Sequence, residues 1–314
     1  MPAGCVQRLP PLVVICGPTA AGKTAAALAL AKHFPVEVIS ADSRQVYRRM
    51  DIGTAKPTAL ERQQVPHHLL DVVYPDESFD AAQFARLAVP AIDAVLQRGR
   101  LPLLVGGTGL YIRALTAGLA ELPGADPEIR RRLEITADTL GSAALHVRLA
   151  VVDAESAALL HPNDRVRLIR ALEVFELTGR PLSVWRREHG FRQHRYRLLK
   201  IGCITERTAL YRRIDRRAEA MFAHGLVEET AALLAAGYSP HLKALQTIGY
   251  REALRLLGGE CTAQEALLEL QQATRRYAKR QLTWFRGDAG VIWVDSATDS
   301  AKIQKLIEQF HVHD

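Results

Sequence analysis

Short apolar segments alternate with polar turns along the first third of this 314-residue chain. Residues 12–16, 36–39 and 101–105 are brief runs dominated by Val, Leu and Ile, and each ends at glycine or polar residues. Segments of this length that are apolar at nearly every position are typical of parallel strands covered on both faces. The pattern therefore predicts an α/β fold with a parallel sheet.

The pattern becomes helical in the middle of the chain. Asp126 followed by Pro127 is a helix start signal, and Asn163 with Asp164 forms a second one. This stretch is also the most basic part of the chain, with 14 Lys and Arg against 10 Asp and Glu in residues 123–200. We interpret residues 123–197 as a helical insertion domain.

Apolar segments of the strand type return after the insertion. The pattern predicts strands at 198–204 and 291–294, with helices near 207–236, 249–257 and 263–286. These elements complete the sheet that the first third begins. The sequence thus predicts two domains, which are a core of residues 1–122 and 198–314 and an insertion of residues 123–197.

Composition narrows the class of protein. Hydrophobic residues make up 48% of the chain and charged residues 24%, as in ordinary globular proteins. No apolar run approaches the roughly 18 residues of a membrane-spanning helix, so no membrane partner is expected. The net charge of +7 favours anionic partners without separating nucleic acids from phosphorylated metabolites. Four widely separated cysteines, which have neither zinc-ligand nor disulfide-framework spacing, indicate a reducing, cytoplasmic location. They are Cys5, Cys16, Cys203 and Cys261.

A phosphate-binding loop follows the first predicted strand. The segment fits the pattern GxxxxGK[ST] and opens a predicted helix, which is the context that the motif requires. Backbone N–H groups in such a loop surround phosphate oxygens, Lys23 adds positive charge, and the Thr24 hydroxyl can bind Mg²⁺. The flanking strand and helix argue against a chance glycine turn. We therefore expect a di- or triphosphate, not necessarily a nucleotide, on Gly17, Pro18, Thr19, Ala20, Ala21, Gly22, Lys23 and Thr24.

An aspartate follows the second predicted strand. Asp42 lies just past residues 36–39, at the sheet edge where ligands of open α/β folds collect. Three roles fit this position: a Mg²⁺ ligand, a general base, or an N-cap for a following helix. The residues alone leave all three open.

Several collinear segments resemble the tRNA dimethylallyltransferase (tRNA isopentenyltransferase) family. The resemblance extends over about residues 11–286 and includes Asp42-Ser-Arg-Gln-Val-Tyr47, Met50-Asp-Ile-Gly-Thr-Ala-Lys-Pro57 and Gly106-Gly-Thr-Gly-Leu-Tyr111. The family also has counterparts of the segments 66–71, 161–164, 170–173, 248–250 and 275–286. Any one segment is only suggestive, but the ordered set is highly specific.

The resemblance implies a P-loop, nucleoside-kinase-like core and a prenyl transfer to tRNA. The family moves the dimethylallyl group of dimethylallyl diphosphate to N6 of the adenosine at position 37, beside the anticodon, and releases diphosphate. Its substrates are usually tRNAs that read codons beginning with U, and its cofactor is Mg²⁺. The insertion would grip the anticodon stem-loop. We also expect a monomer.

The resemblance also assigns roles to individual residues. Asp42 would be the general base, Thr108 would contact the reacting nucleotide, and Lys23 with Arg217 would bind diphosphate, with Thr24 as the metal ligand. The reacting adenine would leave its stack to reach Asp42. The implied tRNA contacts are Asp42, Ser43, Arg44, Gln45, Thr108, Arg130, Val166, Arg167, Leu168, Ile169, Arg170, Gln246, Thr247, Ile248, Gly249, Tyr250, Arg251, Lys279, Arg280, Gln281, Thr283, Trp284 and Arg286.

The last long helix carries a basic stripe. Arg275, Arg276, Lys279 and Arg280 crowd one side of it, and like charges four residues apart repel unless a polyanion lies opposite. Interleaved aromatic residues fit RNA binding, whereas a solvated basic face with core aromatics is the plainer alternative.

Three other features refine the picture. His67 and His68 near Asp71 suggest a metal site, but neighbouring histidines point apart, which favours a structural or substrate-lining role. Arg49 stands where the family often has glycine, so that turn is expected to differ. No Cys/His cluster follows Arg286, which indicates the bacterial type.

Two alternatives to the transferase remain open at this point. One is a P-loop nucleotide or nucleoside kinase, which would share the core and turn over ATP. The other is a non-catalytic RNA-binding protein that retains the loop, against which the pairing of Asp42 with an intact GKT sequence argues.

Overall fold

The computed structural model describes residues 9–190 and 195–312. A six-stranded sheet, parallel at every pairing, has the strand order β3-β2-β4-β1-β5-β6. Its strands are β1 (Pro11–Cys16), β2 (Val36–Ser40), β3 (His67–His68), β4 (Leu101–Gly106), β5 (Arg197–Ile204) and β6 (Val291–Asp295). The predicted α/β class and parallel sheet are confirmed.

The central strand explains why the sheet forms as it does. Residues 12–15 of β1 are wholly buried, with β4 on one side and β5 on the other. Cys16 pairs with Gly106, and Ser40 pairs with Val105, so β1, β2 and β4 end at the same edge. The turns that follow these three strands must therefore lie side by side.

Helices cover this sheet and extend its core. They are α1 (Lys23–Ala31), α2 (Ala59–Gln64), α3 (Ala81–Gln97), α4 (Gly109–Ala117), α10 (Arg207–Ala223), α11 (Leu226–Ala235), α12 (Tyr250–Leu257), α13 (Ala263–Arg286) and α14 (Ser300–Val312). None of the helices within the described residues is long and apolar enough to cross a membrane.

The structure differs from the sequence prediction in a few elements. The single helix predicted near 207–236 is two helices, because Gly225 at a φ of 100° separates α10 from α11. The sequence pattern did not predict β3, α2, α3 or α14. His67 and His68 form β3 instead of a metal site: His68 Nε2 lies 2.6 Å from the Glu37 carboxylate, and His67 Nδ1 lies 2.8 Å from the Val65 carbonyl.

A second compact unit consists of helices only, and its described part is residues 117–190. Its boundaries thus differ by a few residues from those of the predicted insertion. It contains α5 (Pro127–Leu140), α6 (Ser142–Val152), α7 (Ala154–Leu159), α8 (Arg165–Thr178) and α9 (Leu182–His189). Both predicted start signals are confirmed, since Asp126 caps α5 and Asp164 caps α8.

A buried carboxylate holds this second unit together. Glu173 is fully buried and accepts hydrogen bonds from Arg130, Arg170 and the Asp126 backbone N–H. Burial raises the pKa of Glu173, but the two arginines and the backbone donor outweigh it and lower the pKa overall. Arg130 and Arg170, predicted to contact tRNA phosphates, therefore have partners inside the protein.

Other predicted RNA contacts in this unit lie on opposite sides of α8. Leu168 and Ile169 pack into the core of the unit, so their side chains cannot reach RNA and that part of the prediction is corrected. Val166 is 80% exposed and the side chain of Arg167 is 61% exposed, so both remain accessible.

Replacing Glu173 should destabilise the helical unit. Glu173→Ala leaves two arginines beside a buried apolar site, and we expect a loss of about 3 kcal/mol in the free energy of unfolding, measured by urea titration at pH 7. The exposed pair of Glu188 with Arg180 is the control, and Glu188→Ala should cost less than about 1 kcal/mol.

The same variant gives a pH signature. The pKa of Glu173 is lower in the folded protein than in the unfolded chain. Its ionised carboxylate therefore stabilises the fold fully above the ordinary carboxyl pKa, and this stabilisation is lost as the pH falls through the folded-state pKa. The difference in the free energy of unfolding between the parent protein and Glu173→Ala should therefore decrease in acid. If Glu173→Ala loses no more stability at pH 7 than Glu188→Ala does, this role of Glu173 is contradicted.

Candidate active site

Three turns meet at the carboxyl edge of β1, β2 and β4. A Cβ atom on Gly106 would lie 2.1 Å from the Ala41 carbonyl oxygen, so only glycine allows these turns to approach so closely. The Thr108 N–H donates to the same carbonyl, and the Thr108 hydroxyl accepts the Ser43 N–H at 3.0 Å. Thr108 thus fixes the turn that carries Asp42.

The phosphate loop lies directly beside these turns. Gly17 has a φ of 135°, and a Cβ there would lie 2.4 Å from the Cys203 carbonyl oxygen. Lys23 opens α1 and folds back over the loop, where its ammonium group donates to the carbonyls of Gly17 and Pro18. Burial lowers the pKa of Lys23 to about 8, against the opposing effects of Cys203 and Asp42. At neutral pH the loop therefore carries an ammonium group.

A glutamine of α13 joins the phosphate loop to the turn after β4. The Thr19 N–H donates to Gln281 Oε1 at 2.8 Å, and Gln281 Nε2 donates to the Gly107 carbonyl at 2.9 Å. Gln281 is only 6% exposed and uses both ends of its amide in these bonds. Its predicted contact with tRNA is therefore corrected to a positioning role, which the sequence could not reveal because the partners lie far apart in the chain.

Asp42 caps a turn and not a helix, since the next helix along the chain is α2. Its Oδ1 accepts the backbone N–H groups of Arg44 and Gln45 at 2.8 and 3.4 Å, as a capping carboxylate does. Both bonds fall on Oδ1, and Asp42 lines a cavity beside the phosphate loop. Capping thus orients the carboxylate while Oδ2 remains free of these two bonds.

Tyr277, one of the aromatic residues interleaved with the basic stripe, completes this corner. Burial raises the pKa of Tyr277 to about 12, and the nearby charge of Asp42 adds to the effect. The charge of Arg44 and the side chain of Thr108 oppose this rise. Tyr277 therefore stays a neutral phenol at physiological pH. Its spacing of three and four residues from Arg280 and Gln281 on one helix was the available signal.

The cavity has a volume of about 270 Å³ and brings many predicted residues together. Arg217 projects into it from α10, and its guanidinium lies 3.5 Å from the Thr19 hydroxyl. Desolvation lowers the pKa of Arg217, an effect that Asp42 opposes. The residues that line the cavity are Thr19, Asp42, Arg44, Gly53, Thr54, Ala55, Ile214, Arg217, Ala218, Met221, Gln246, Thr247, Ile248, Arg251, Leu270, Thr274, Tyr277 and Arg280.

A glutamate of α11 supports one wall of the cavity. The Glu229 carboxylate accepts the N–H groups of Asp51, Ile52 and Gly53 at 2.8–3.1 Å and the Tyr250 hydroxyl at 2.5 Å. No local sequence pattern marks Glu229, because its backbone partners lie far away in the chain. Tyr250 is completely buried, so its predicted contact with RNA is corrected to this supporting role.

The same wall positions Gln45, and the unusual arginine lies in the turn just before it. Gln45 Nε2 donates to the Thr54 and Ala55 carbonyls, so its amide is turned toward this wall. Arg49 adopts a φ of 63°, the left-handed conformation that glycine favours. The expectation that this turn differs from that of the family stays a prediction.

The basic stripe of α13 divides into paired and exposed residues. Arg275 makes a two-point ion pair with Asp215 and so has its partner within the core unit. The exposed members of the predicted set are Arg276, Lys279, Arg280, Thr283, Trp284 and Arg286. Their contact with RNA stays a prediction.

The predicted metal ligand can be tested against the surrounding donors. Thr24 lies in the first turn of α1, beside the phosphate loop. No group of three or more His, Cys, Asp or Glu residues that could hold a metal occurs in residues 9–190 and 195–312. One hydroxyl next to a phosphate site fits Mg²⁺, which is commonly bound through substrate phosphates and water instead of an all-protein cage.

The chain is similar to known proteins over most of its length. A model of the IPP transferase family matches residues 45–288. The chain is 52% identical to tRNA dimethylallyltransferase 2 of Geotalea uraniireducens, covering 95% of this chain and 96% of the relative. It is 55% identical to the tRNA dimethylallyltransferase of Geobacter metallireducens, with coverages of 90% and 92%.

Solved structures are similar over nearly the whole chain. The full-length tRNA isopentenylpyrophosphate transferase of Bacillus halodurans has a TM-score of 0.70 and 44% identity, covering 96% of this chain and 99% of that one. A eukaryotic dimethylallyltransferase, described as acting on tRNA, has a TM-score of 0.77 and 26% identity, covering 96% of this chain and 78% of that one.

The lowered pKa of Lys23 leads to a pH-dependent affinity. Inorganic diphosphate should bind more weakly as the pH rises through about 8, because the free protein then loses the ammonium charge. Lys23→Arg keeps its charge in this range and should lack that weakening. Isothermal titration of both proteins at pH 6.5–9.5 tests this, since changes in the diphosphate itself affect both equally. If the affinity for diphosphate falls equally with pH in the parent protein and in Lys23→Arg, the role of the Lys23 charge is contradicted.

The hydrogen bonds that the Glu229 carboxylate accepts from residues 51–53, here called the Glu229 clamp, predict how this wall responds to substitution. Glu229→Gln retains the size of the side chain but removes the charge that collects three N–H groups, so the 51–55 wall should loosen. We expect faster hydrogen exchange at residues 51–55 and little change in β1 or β4. Glu228→Gln, in the same helical turn, is the control. Unchanged exchange at residues 51–55 in Glu229→Gln would argue against the clamp.

Proposed function

Because the chain belongs to the IPP transferase family of tRNA dimethylallyltransferases, we propose that it prenylates N6 of the adenosine at position 37, on the 3′ side of the anticodon. The donor is dimethylallyl diphosphate, and diphosphate is the second product. The acceptors are tRNAs that read codons beginning with U. The observation that carries this proposal is one cavity in which Asp42 lies together with Thr19 and Arg217 of the phosphate side.

The phosphate side of the cavity suits the leaving group. Breaking the C1–O bond of an allylic diphosphate moves negative charge onto the phosphate oxygens. Lys23, Arg217 and the loop N–H groups are positioned to neutralise that charge, which lowers the barrier because these groups are already oriented. A Mg²⁺ ion held through Thr24 would supply further positive charge at the diphosphate.

The opposite side suits the acceptor. An adenine amine is a weak nucleophile, and its proton must leave as the C–N bond forms. Asp42 can accept this proton at Oδ2, because the backbone bonds to Oδ1 hold the carboxylate in place. Tyr277 lines the same cavity and can donate a hydrogen bond to the base, while Thr108 holds the turn of Asp42 through its bond to the Ser43 N–H. Reaching Asp42 requires the base to leave its stack, as in other enzymes that act on nucleobases.

Exposed cations supply the surface for the RNA. Lys279, Arg280 and Arg286 lie on α13 with the exposed indole of Trp284 among them, a combination that suits phosphates and unpaired bases. In the helical unit, Arg167 and Val166 are the exposed members of the predicted set. We propose that both groups bind the anticodon stem-loop.

The relatives favour the transferase over the two alternatives. They are about half identical over nearly the full chain and carry the transferase name, whereas the kinase and the RNA-binding protein rested on the phosphate loop alone. We further propose a cytoplasmic monomer. The three cysteines within the described residues are free, as expected in a reducing compartment. A mass well above 34.7 kDa by light scattering would contradict the monomer.

The role of Asp42 can be tested with one isosteric substitution. Asp42→Asn retains shape and removes the proton acceptor, so single-turnover prenyl transfer should fall by about 10²–10⁴-fold. Binding of tRNA and of donor should change little, since the phosphate loop and the basic surface are unaltered. Nucleoside mass analysis of tRNA incubated with labelled dimethylallyl diphosphate measures the rate.

Two controls separate the possible roles. Asp76→Asn changes an exposed aspartate outside the cavity and should leave the rate unaltered. Partial recovery of Asp42→Asn by excess Mg²⁺ would indicate a metal ligand instead. A normal rate with a stability loss of about 1 kcal/mol would leave only the capping role.

A further inference from the structure

The turn after β6 lies against the phosphate loop. β6 pairs with β5, and β5 pairs with β1, so the turns that follow these three strands leave the same edge of the sheet. In the turn after β6, the Ser296 hydroxyl donates to the Ala21 carbonyl at 2.5 Å, although the two residues are 275 positions apart in the chain. A distant segment of the chain thus contacts the backbone of the phosphate loop directly.

Gly22 shows how closely the two segments approach each other. Its φ of 86° lies in the left-handed region, and a Cβ atom there would lie 2.4 Å from Ser296 Oγ. Glycine is therefore required at this position for two reasons, which are the backbone conformation and the contact with Ser296. The second reason comes from the turn after β6 and not from a ligand.

The hydrogen bond from Ser296 fixes the orientation of one peptide group of the loop. In a trans peptide the C=O and N–H groups point in opposite directions. Because Ser296 holds the Ala21 carbonyl, the Gly22 N–H of the same peptide group points away from the turn after β6. That N–H donates to no other group within residues 9–190 and 195–312. An oriented N–H group of this kind, next to the N-terminus of α1, suits a phosphate oxygen.

The turn that carries Ser296 is itself held in place. The Asp295 N–H donates to Asp299 Oδ2 at 3.1 Å, and the Ala297 N–H donates to Asp295 Oδ1 at 2.9 Å. The next helix, α14, buries Ile303 and Ile307 in the core cluster to which α1 also contributes. The turn is therefore attached to the same core as the helix that the phosphate loop opens, which gives the Ser296 hydroxyl a defined position.

We propose that Ser296 is a positioning residue for the diphosphate of the donor and acts through the Gly22 N–H. The inference rests on the proposed function for the identity of that donor. Gln281 holds the loop at the Thr19 N–H, and Ser296 holds it at the Ala21 carbonyl. Both side chains are neutral, so they orient the loop without changing the positive charge that it offers to an anion.

The two substrates should respond differently to a change at Ser296. Its hydroxyl contacts the phosphate loop, and the residue does not line the cavity. Without that hydroxyl, the peptide group between Ala21 and Gly22 is free to rotate, which weakens one hydrogen bond to the diphosphate. The exposed cations proposed to bind RNA remain unaltered, so the affinity for tRNA should not change.

Ser296→Ala tests this role. Its affinity for inorganic diphosphate, measured by isothermal titration, should be lower by about three- to tenfold, the size of one neutral hydrogen bond. In the transfer assay the KM for dimethylallyl diphosphate should rise by a similar factor, while the KM for tRNA stays unchanged. A general loss of structure would affect both substrates. An equal rise in both KM values, or an unchanged affinity for diphosphate, would therefore overturn the proposal.

Thr298→Ala is the matched control, and Ser296→Thr is the rescue. The Thr298 hydroxyl lies in the same turn but donates to Asp299 instead of the phosphate loop, so its removal should leave diphosphate binding unchanged. Ser296→Thr keeps the hydroxyl and should bind diphosphate nearly as well as the parent protein. If Thr298→Ala weakens binding as much as Ser296→Ala does, or if Ser296→Thr restores none of the lost affinity, the role of the Ser296 hydroxyl is rejected.

Inorganic diphosphate separates this inference from the proposed function, because its binding requires neither tRNA nor a prenyl group. If the parent protein modifies no tRNA but binds diphosphate more tightly than Ser296→Ala does, the proposed function fails and the positioning of the loop by Ser296 is supported. If the parent protein transfers the prenyl group and Ser296→Ala binds diphosphate normally, the proposed function stands and the role of Ser296 is rejected.

Discussion

The candidate site depends on how closely three backbone turns approach one another at one edge of the sheet. Gly106 has no side chain, and this absence allows the turn after β4 to touch the Ala41 carbonyl. The Gln281 amide then ties the Gly107 carbonyl to the Thr19 N–H. One neutral, buried side chain thus couples the phosphate loop to the turn that orients Asp42. Buried amides that satisfy both ends rigidify such a junction without adding charge.

Ionic contacts have a different function in the two units. In the core unit, Glu229 gathers backbone N–H groups and supports a cavity wall, whereas Glu173 in the helical unit neutralises two arginines. Both carboxylates therefore organise the protein itself. A residue's charge alone does not show whether it serves folding or RNA, as Arg130 and Arg275 demonstrate.

The elements that the sequence predicts correctly are those whose signal is local. The strands, the phosphate loop and the helix start at Asp126 each depend on neighbouring residues, and the fold class followed from them. β3 has only two residues and no apolar run, and α3 contains Pro90, which is unusual in a helix interior. The contacts of Gln281 and Glu229 join residues 262 and about 178 positions apart, and no local pattern encodes such pairs. For the same reason, periodicity did not distinguish buried Leu168 from exposed Val166 on α8.

The charges in the cavity explain why its polar residues differ in kind. Asp42 is the one carboxylate among the described residues that line the cavity, while Arg44, Arg217, Arg251 and Arg280 are cationic. Desolvation lowers the pKa of both Lys23 and Arg217, which means that their charged forms are held at a cost that a bound anion offsets. A second anionic side chain in the cavity lining would weaken the positive potential that these cations provide for a bound anion. Tyr277, with its pKa raised to about 12, stays neutral and offers a hydrogen bond without opposing the negative charge that develops on a departing diphosphate.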